Sequence, residues 1–140
     1  MDRNLVYAKE LLEKENYTCV LWNGEHLYTS RERGVKPLLE WLDQGLDLSS
    51  FSAADKVVGK AAAFLYVLLG VSRVYASVIS EAAEATLLKV QIPTTYDIKT
   101  KEIINRSGTG LCPMEQATLA IESPEEALLA IKETLKRLSH

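Results

Sequence analysis

Residues 52–72, SAADKVVGKAAAFLYVLLGVS, set three charged side chains into the start of an otherwise apolar run. Ser52 followed three residues later by Asp55 fits a capping box, in which two side chains satisfy free amides at a helix start. Apolar residues then fall at Val57, Val58, Ala61, Ala62, Leu65, Leu68 and Leu69, the spacing of a mostly buried helix. Gly70 supplies the stop, since glycine accepts the left-handed conformation that follows a helix end. The stretch therefore predicts one helix opening at Ser52 and closing at Gly70. Within it Lys56 and Lys60 share a face near the positive end of the helix dipole, where cations are disfavoured. Gly59, between them, costs about 1 kcal/mol relative to alanine in a helix interior. Local preferences broken together are expected at functional sites. The structural alternative is a capping Asp55, lysines that reach water, and a glycine that allows close packing.

The totals narrow the field. A chain of 140 residues suits one domain, residues 1–140, with a proper core. Apolar content of 47% with 25% charged residues is ordinary for a globular protein. A net charge of −3 gives no electrostatic footprint for duplex nucleic acid. No apolar run is long enough to span a membrane and no signal peptide opens the chain, so a cytoplasmic location is the expectation. Cys19 and Cys112 do not suggest a disulfide scaffold. With only His26 and His140, no cysteine or histidine pair has zinc-site spacing, so neither a metal nor another cofactor is expected.

Outward from the organising stretch, residues 5–15 read as an amphipathic helix and 17–22 and 27–30 as strands, joined at Asn23-Gly24, a strong hairpin signal. Residues 35–42 form a short helix with Pro37 in its first turn. Residues 71–79 alternate as a central strand, 81–89 return to helix, and a strand is expected within 92–98. Pro113 opens a helix through about residue 121, and Ser123-Pro124-Glu125-Glu126 opens another that runs to about residue 138. This order predicts an α/β fold with a mixed sheet flanked by helices.

A second stretch, residues 105–115 (NRSGTGLCPME), has the composition of a ligand loop. Gly108, Thr109 and Gly110 would let backbone amides converge, and Asn105 and Arg106 would add side-chain donors for an anion. As a motif this is weak, and a tight turn would need the same glycines. Cys112 stands where a helix start lowers thiol pKa, which makes it a candidate nucleophile. Glu115 is a candidate acid/base or a cap for the same helix. A catalytic thiol wants a basic partner, a role open to Lys56 or Lys60 if the fold joins the two stretches.

The segments YTCVLWNGEHLYTSRERGVKPLL, FSAADKVVGKAAAFLYVLLGV and INRSGTGLCPMEQA resemble a small prokaryotic family of unknown function within the cytidine deaminase-like superfamily. The resemblance covers roughly residues 5–130 and implies a three-layer α/β/α sandwich with the active-site edge on the organising helix. Deaminases of that superfamily hold zinc with a His-x-Glu or Cys-x-Glu element and a Pro-Cys-x-x-Cys element. Here Ala54-Asp55-Lys56-Val57 and Ser80-Glu81-Ala82-Ala83 stand in their place, and no zinc-ligand set survives. What the resemblance implies is a pocket lined by Asp55, Lys56, Lys60, Glu81 and the 106–115 loop.

Two functions follow as expectations. One is a small-molecule enzyme or binding protein for an anionic, nucleoside- or nucleotide-related ligand. Asp55, Lys60, Cys112 and Glu115 would carry any chemistry, and Lys56, Gly59, Glu81, Asn105, Arg106, Gly108, Thr109 and Gly110 would line the site. The other is a non-catalytic regulatory or interaction module with a degenerate pocket. Redox sensing through Cys112 ranks behind both, because its one resolving thiol, Cys19, reads as buried. The oligomeric state stays open, a homo-oligomer included.

Overall fold

In the computed structural model, which describes residues 2–105 and 107–138, the organising stretch divides at Gly59. The elements in chain order are α1 (Arg3–Lys14), β1 (Cys19–Trp22), β2 (Leu27–Ser30), α2 (Lys36–Asp43), β3 (Ser52–Val58), α3 (Lys60–Leu69), β4 (Arg73–Ser80), α4 (Glu81–Lys89), β5 (Thr94–Thr100), α5 (Pro113–Thr118) and α6 (Pro124–Leu138). The expected single helix is thus overturned over residues 52–58. Its second half and its stop stand, with Gly70 left-handed at φ 74°.

Tertiary pairing explains the correction. β3 is an inner strand of a five-stranded sheet ordered β2-β1-β3-β4-β5, antiparallel to β1 and parallel to β4. Both its neighbours take backbone hydrogen bonds from it, and over residues 52–54 both its faces are covered. Strands buried on two faces carry near-continuous apolar runs that resemble buried helix in sequence. Ala53 and Ala54 are each 0% exposed, and they face the two different cores. Asp55 is therefore not a helix cap, and Lys56 and Lys60 do not share a helical face. Residues 54–57, which the resemblance set at a helix start, lie inside a strand.

The layers are unequal. On one face α1 packs Leu5, Ala8 and Leu12 onto Val20, Ala54 and Tyr75. Its start is capped by Asp2, whose Oδ1 accepts from the amides of Asn4 and Leu5. On the other face α3 and α4 cover the sheet, and α2, α5 and α6 pack around α3 to close the main core. The result is an α/β fold with a mixed sheet between helical layers.

One row of the sheet breaks the alternation. The pairing of β3 with β4 and of β4 with β5 skips Lys56, Ser77 and Asp97 and resumes at the same offset with Val57, Val78 and Ile98. Before the break Ala53 and Ala76 face the main core; after it Val58 and Ile79 do. Two successive rows consequently face the α1 side. Lys56 there donates to Asn16, and Asp97 accepts from Tyr75.

Candidate functional site

The start of α3 carries no side-chain cap of its own. Glu115, the third residue of α5, supplies one from a distance: its Oε1 accepts from the Lys60 amide at 2.5 Å and its Oε2 from the Ile103 amide at 3.4 Å. The two stretches singled out in the sequence therefore meet here. A carboxylate at a helix start is favoured by the dipole and by the free amides. Gly59 makes the approach feasible, since a Cβ on it would stand 2.6 Å from Glu115 Oε1.

The Lys60 side chain, 9% exposed, runs from this point beneath the chain that enters α6. Its ammonium donates to the Leu119 carbonyl at 3.0 Å, lies 3.7 Å from the Glu122 carboxylate and sits 5.7 Å from the centre of the Phe64 ring. It also borders a groove of about 370 Å³ between α3, α4 and the start of α6. Phe64, Val67, Ala85 and Pro124 form apolar walls, while Lys60, Lys89 and Thr86 bring polar groups to them. In open α/β sheets ligands favour the region beyond the carboxyl ends of parallel strands, and Lys60 follows the end of β3 by two residues.

Asp55 belongs to a separate cluster. Its Oδ2 accepts from the Tyr66 hydroxyl at 2.7 Å, and the same hydroxyl lies 3.1 Å from Cys19 Sγ. Burial pushes the Asp55 carboxyl up to about 7, against the lowering effect of the Tyr66 hydrogen bond and of the Val57 and Lys56 amides. Burial and the neighbouring Asp55 charge push the Cys19 thiol well above its ordinary range. That thiol is a core group, as expected from its strand.

The remaining candidates are dispersed. Lys56 is on the α1 side of the sheet, and Glu81 is exposed in the first turn of α4. Asn105 ties its own turn together: its Oδ1 accepts from the Thr109 amide and the Ser107 hydroxyl, and its carbonyl accepts from the Gly108 amide. Gly110 returns its carbonyl to the Asn105 amide, beside a bridge between Ile104 and Leu111. The amides of Gly108 and Thr109 are thus spent within the turn, and Gly108 adopts φ 73° there. Arg106 lies outside the described residues. Cys112 is half-buried at the α5 start, its amide bonded to the Ile103 carbonyl. Among the described residues, no three His, Cys, Asp or Glu side chains lie together as metal ligands.

Sequence reasoning missed Lys89, Glu122 and Tyr66. Tyr66 had a signal, a hydroxyl within an apolar helix that must find a partner when buried. Lys89 and Glu122 had none, because only the packing of α4 and α6 against α3 sets them at one groove.

The sequence profile of the family described as TM1506, Domain of unknown function (DUF1893), matches residues 7–135. The chain belongs to the DUF1893 family. Among solved structures, the crystal structure of a DUF1893 family protein (TM1506) from Thermotoga maritima matches with a TM-score of 0.87 at 28% identity. That match covers 95% of this chain and 91% of the other. No curated protein matches. The DUF1893 fold therefore extends over nearly the whole chain, and the Glu115 bridge and the groove at Lys60 both lie within the matched residues.

Proposed function

We propose that this DUF1893 chain is a small-molecule binding domain whose ligand pairs an anionic group with an apolar or aromatic body. The observation that carries this reading is the groove beside α3, where Lys60 and Lys89 stand at walls made by Phe64, Val67 and Pro124. Small-molecule sites are typically concave and largely apolar, with few fixed polar groups. Lys60 is the anion anchor in this reading, because most of its side chain is already ordered by burial and less entropy is lost on binding. Lys89 and Thr86 complete the polar set.

A nucleoside- or nucleotide-related ligand is the finer proposal. It rests on the resemblance of the three sequence segments to the cytidine deaminase-like superfamily, a fold-level analogy. Chemistry at the groove would fall to Lys60. Glu115 is committed to the α3 amide, and Asp55 and Cys112 are proposed as secondary groups, with Asp55 suited to proton transfer by its elevated pKa. A second reading, a non-catalytic interaction module, is favoured by one observation. Glu122 and the Leu119 carbonyl already satisfy the Lys60 ammonium.

The experiment is a thermal-shift screen against nucleosides, nucleotides, simple phosphates and divalent metals, on wild type, Lys60→Ala and Lys89→Ala. A ligand at a hundred times its dissociation constant stabilises by about 2.7 kcal/mol. The binding reading expects a nucleotide or phosphate shift in wild type that both variants lose. A silent panel on a folded protein rejects it in favour of the interaction module.

A further inference from the structure

The two lysines of the groove stand at its opposite ends. β3, β4 and β5 are parallel, so α3 and α4 both return from the carboxyl ends of the strands and run side by side in one direction. The pairing of Val58 with Ile79 sets their starts level, since Lys60 and Glu81 each follow two residues later. Lys60 therefore lies level with the first turn of α4, whereas Lys89 is the last residue of that helix. α4 has 9 residues, so its two ends are about 12 Å apart at the helical rise of 1.5 Å per residue. No single small anion bridges that distance.

Between the two charges the walls are apolar. Phe64 and Val67 line one side and Ala85 the other, and the Thr86 hydroxyl is already donated to the Ala82 carbonyl at 2.8 Å. Both ammoniums can take a ligand. Lys89 is exposed and has no hydrogen bond or ion pair among the described residues. At the other end, the Lys60 ammonium has three donors, of which the Leu119 carbonyl takes one. Glu122, at 3.7 Å, lies beyond hydrogen-bond length and is 79% exposed, so a better placed ligand anion displaces it at little cost.

We propose, on the reading that this groove binds a small molecule, that its ligand is a rod-like diacid: two anionic groups, one on Lys60 and one on Lys89, joined by an apolar spacer on the order of 10 Å long. The spacer lies along Phe64, Val67 and Ala85, which offer it nothing but apolar contact. A ligand with one charged end leaves the second ammonium unmet, which is the difference that sets the class. An unbranched dicarboxylate with a carboxylate at each end is its simplest member. An extended chain advances about 1.2 Å per bond, so the matching diacids have about eight to ten carbons.

Calorimetric titration of the full chain with succinate, suberate, sebacate and hexadecanedioate tests the class. Affinity should peak at suberate or sebacate. Octanoate, which matches suberate in length but carries one charge, should bind about tenfold more weakly. Lys89→Gln, at an exposed position, should bring suberate down to the level of octanoate and change octanoate little. Lys89→Glu should reverse the preference, favouring the ω-amino acid of the same length over suberate. A lysine that served only the α4 dipole would produce no such exchange. Equal affinity for octanoate and suberate, a flat length series, or a Lys89→Gln protein that still prefers suberate overturns the two-ended ligand while leaving the groove a binding site. Silence from every acid overturns it too, and the nucleotide and phosphate panel then decides independently whether the groove binds at all.

Discussion

The Glu115 carboxylate and the Lys60 backbone amide, fifty-five residues apart, meet at 2.5 Å over Gly59. The contact closes the start of the central helix with an acid from a different helix. It thereby couples α5 and the 103–112 segment to the end of β3.

Gly59→Ala should therefore destabilise by about 1–3 kcal/mol, the usual cost of disrupting a buried, charge-assisted hydrogen bond. Backbone strain is not the cause, since Gly59 has an ordinary φ of −91°. In a Glu115→Ala background the remaining close neighbour is the Ile103 side chain, with Cγ1 at 3.3 Å, which needs to give by only a few tenths of an ångström, so the same substitution should cost less. Urea unfolding of the four variants gives the coupling, and full additivity would reject the direct contact.

Asp55 should make stability fall as pH rises. Its folded pKa of about 7 exceeds the ordinary 3.8, so between those values the folded state holds a proton that the unfolded chain has released. Stability is unaffected by this group below about pH 4, declines from there to about pH 7 and is level above. The loss is at most about 4 kcal/mol at 1.36 kcal/mol per pH unit, reduced by solvent screening of a half-buried group. Asp55→Asn should flatten that slope, as read by denaturant midpoints across the range. An unaltered slope would show that other groups cause it.

Tyr66→Phe removes the hydroxyl shared by Asp55 and Cys19. A loss of about 1–2 kcal/mol is expected, because a buried acceptor loses its donor. The Asp55 midpoint should also rise above about 7, since this hydrogen bond lowers it. Carboxyl carbon chemical shifts followed by NMR report the midpoint directly; a fixed value contradicts the assigned pair.

The two thiols should separate by reactivity. Cys19 is 4% exposed, with its pKa raised by burial, and should react with an aromatic disulfide reagent only on unfolding. Cys112, half-buried, should account for any thiol titrated in the native state, and Cys112→Ser should abolish that signal. Native labelling that persists in Cys112→Ser would show that the main core opens around Cys19.

Much of the fold was legible locally. The α6 start followed from Ser123-Pro124-Glu125-Glu126, and the serine hydroxyl indeed accepts from the Glu126 amide. The Asn23-Gly24 hairpin followed from turn chemistry, with Asn23 Oδ1 accepting from the amides of Glu25 and His26. β4 and α4 were found because a strand of β-branched residues gives way to a helix of alanines and leucines, capped by Ser80. Of the candidate site, Gly59 and Lys60 were singled out for breaking local rules and Glu115 as an acid/base or helix cap, and the fold brings these three together.

Residues 52–58 mark where local reading ended. Alanine and lysine favour helix, and a serine three residues before an acid mimics a cap. Their strand conformation is imposed by β1 and β4, which supply the hydrogen bonds, and by two helical layers that need small side chains at Ala53 and Ala54. Composition, turn chemistry and caps by themselves determined an α/β domain with these helices and most of these strands, because such signals act within a few residues. The path of β3, the cap that Glu115 lends to α3, the groove that Lys60 shares with Lys89 and Glu122, and the break in alternation at Lys56, Ser77 and Asp97 were decided by tertiary structure alone. Each depends on partners dozens of residues away, whose approach no local spacing encodes.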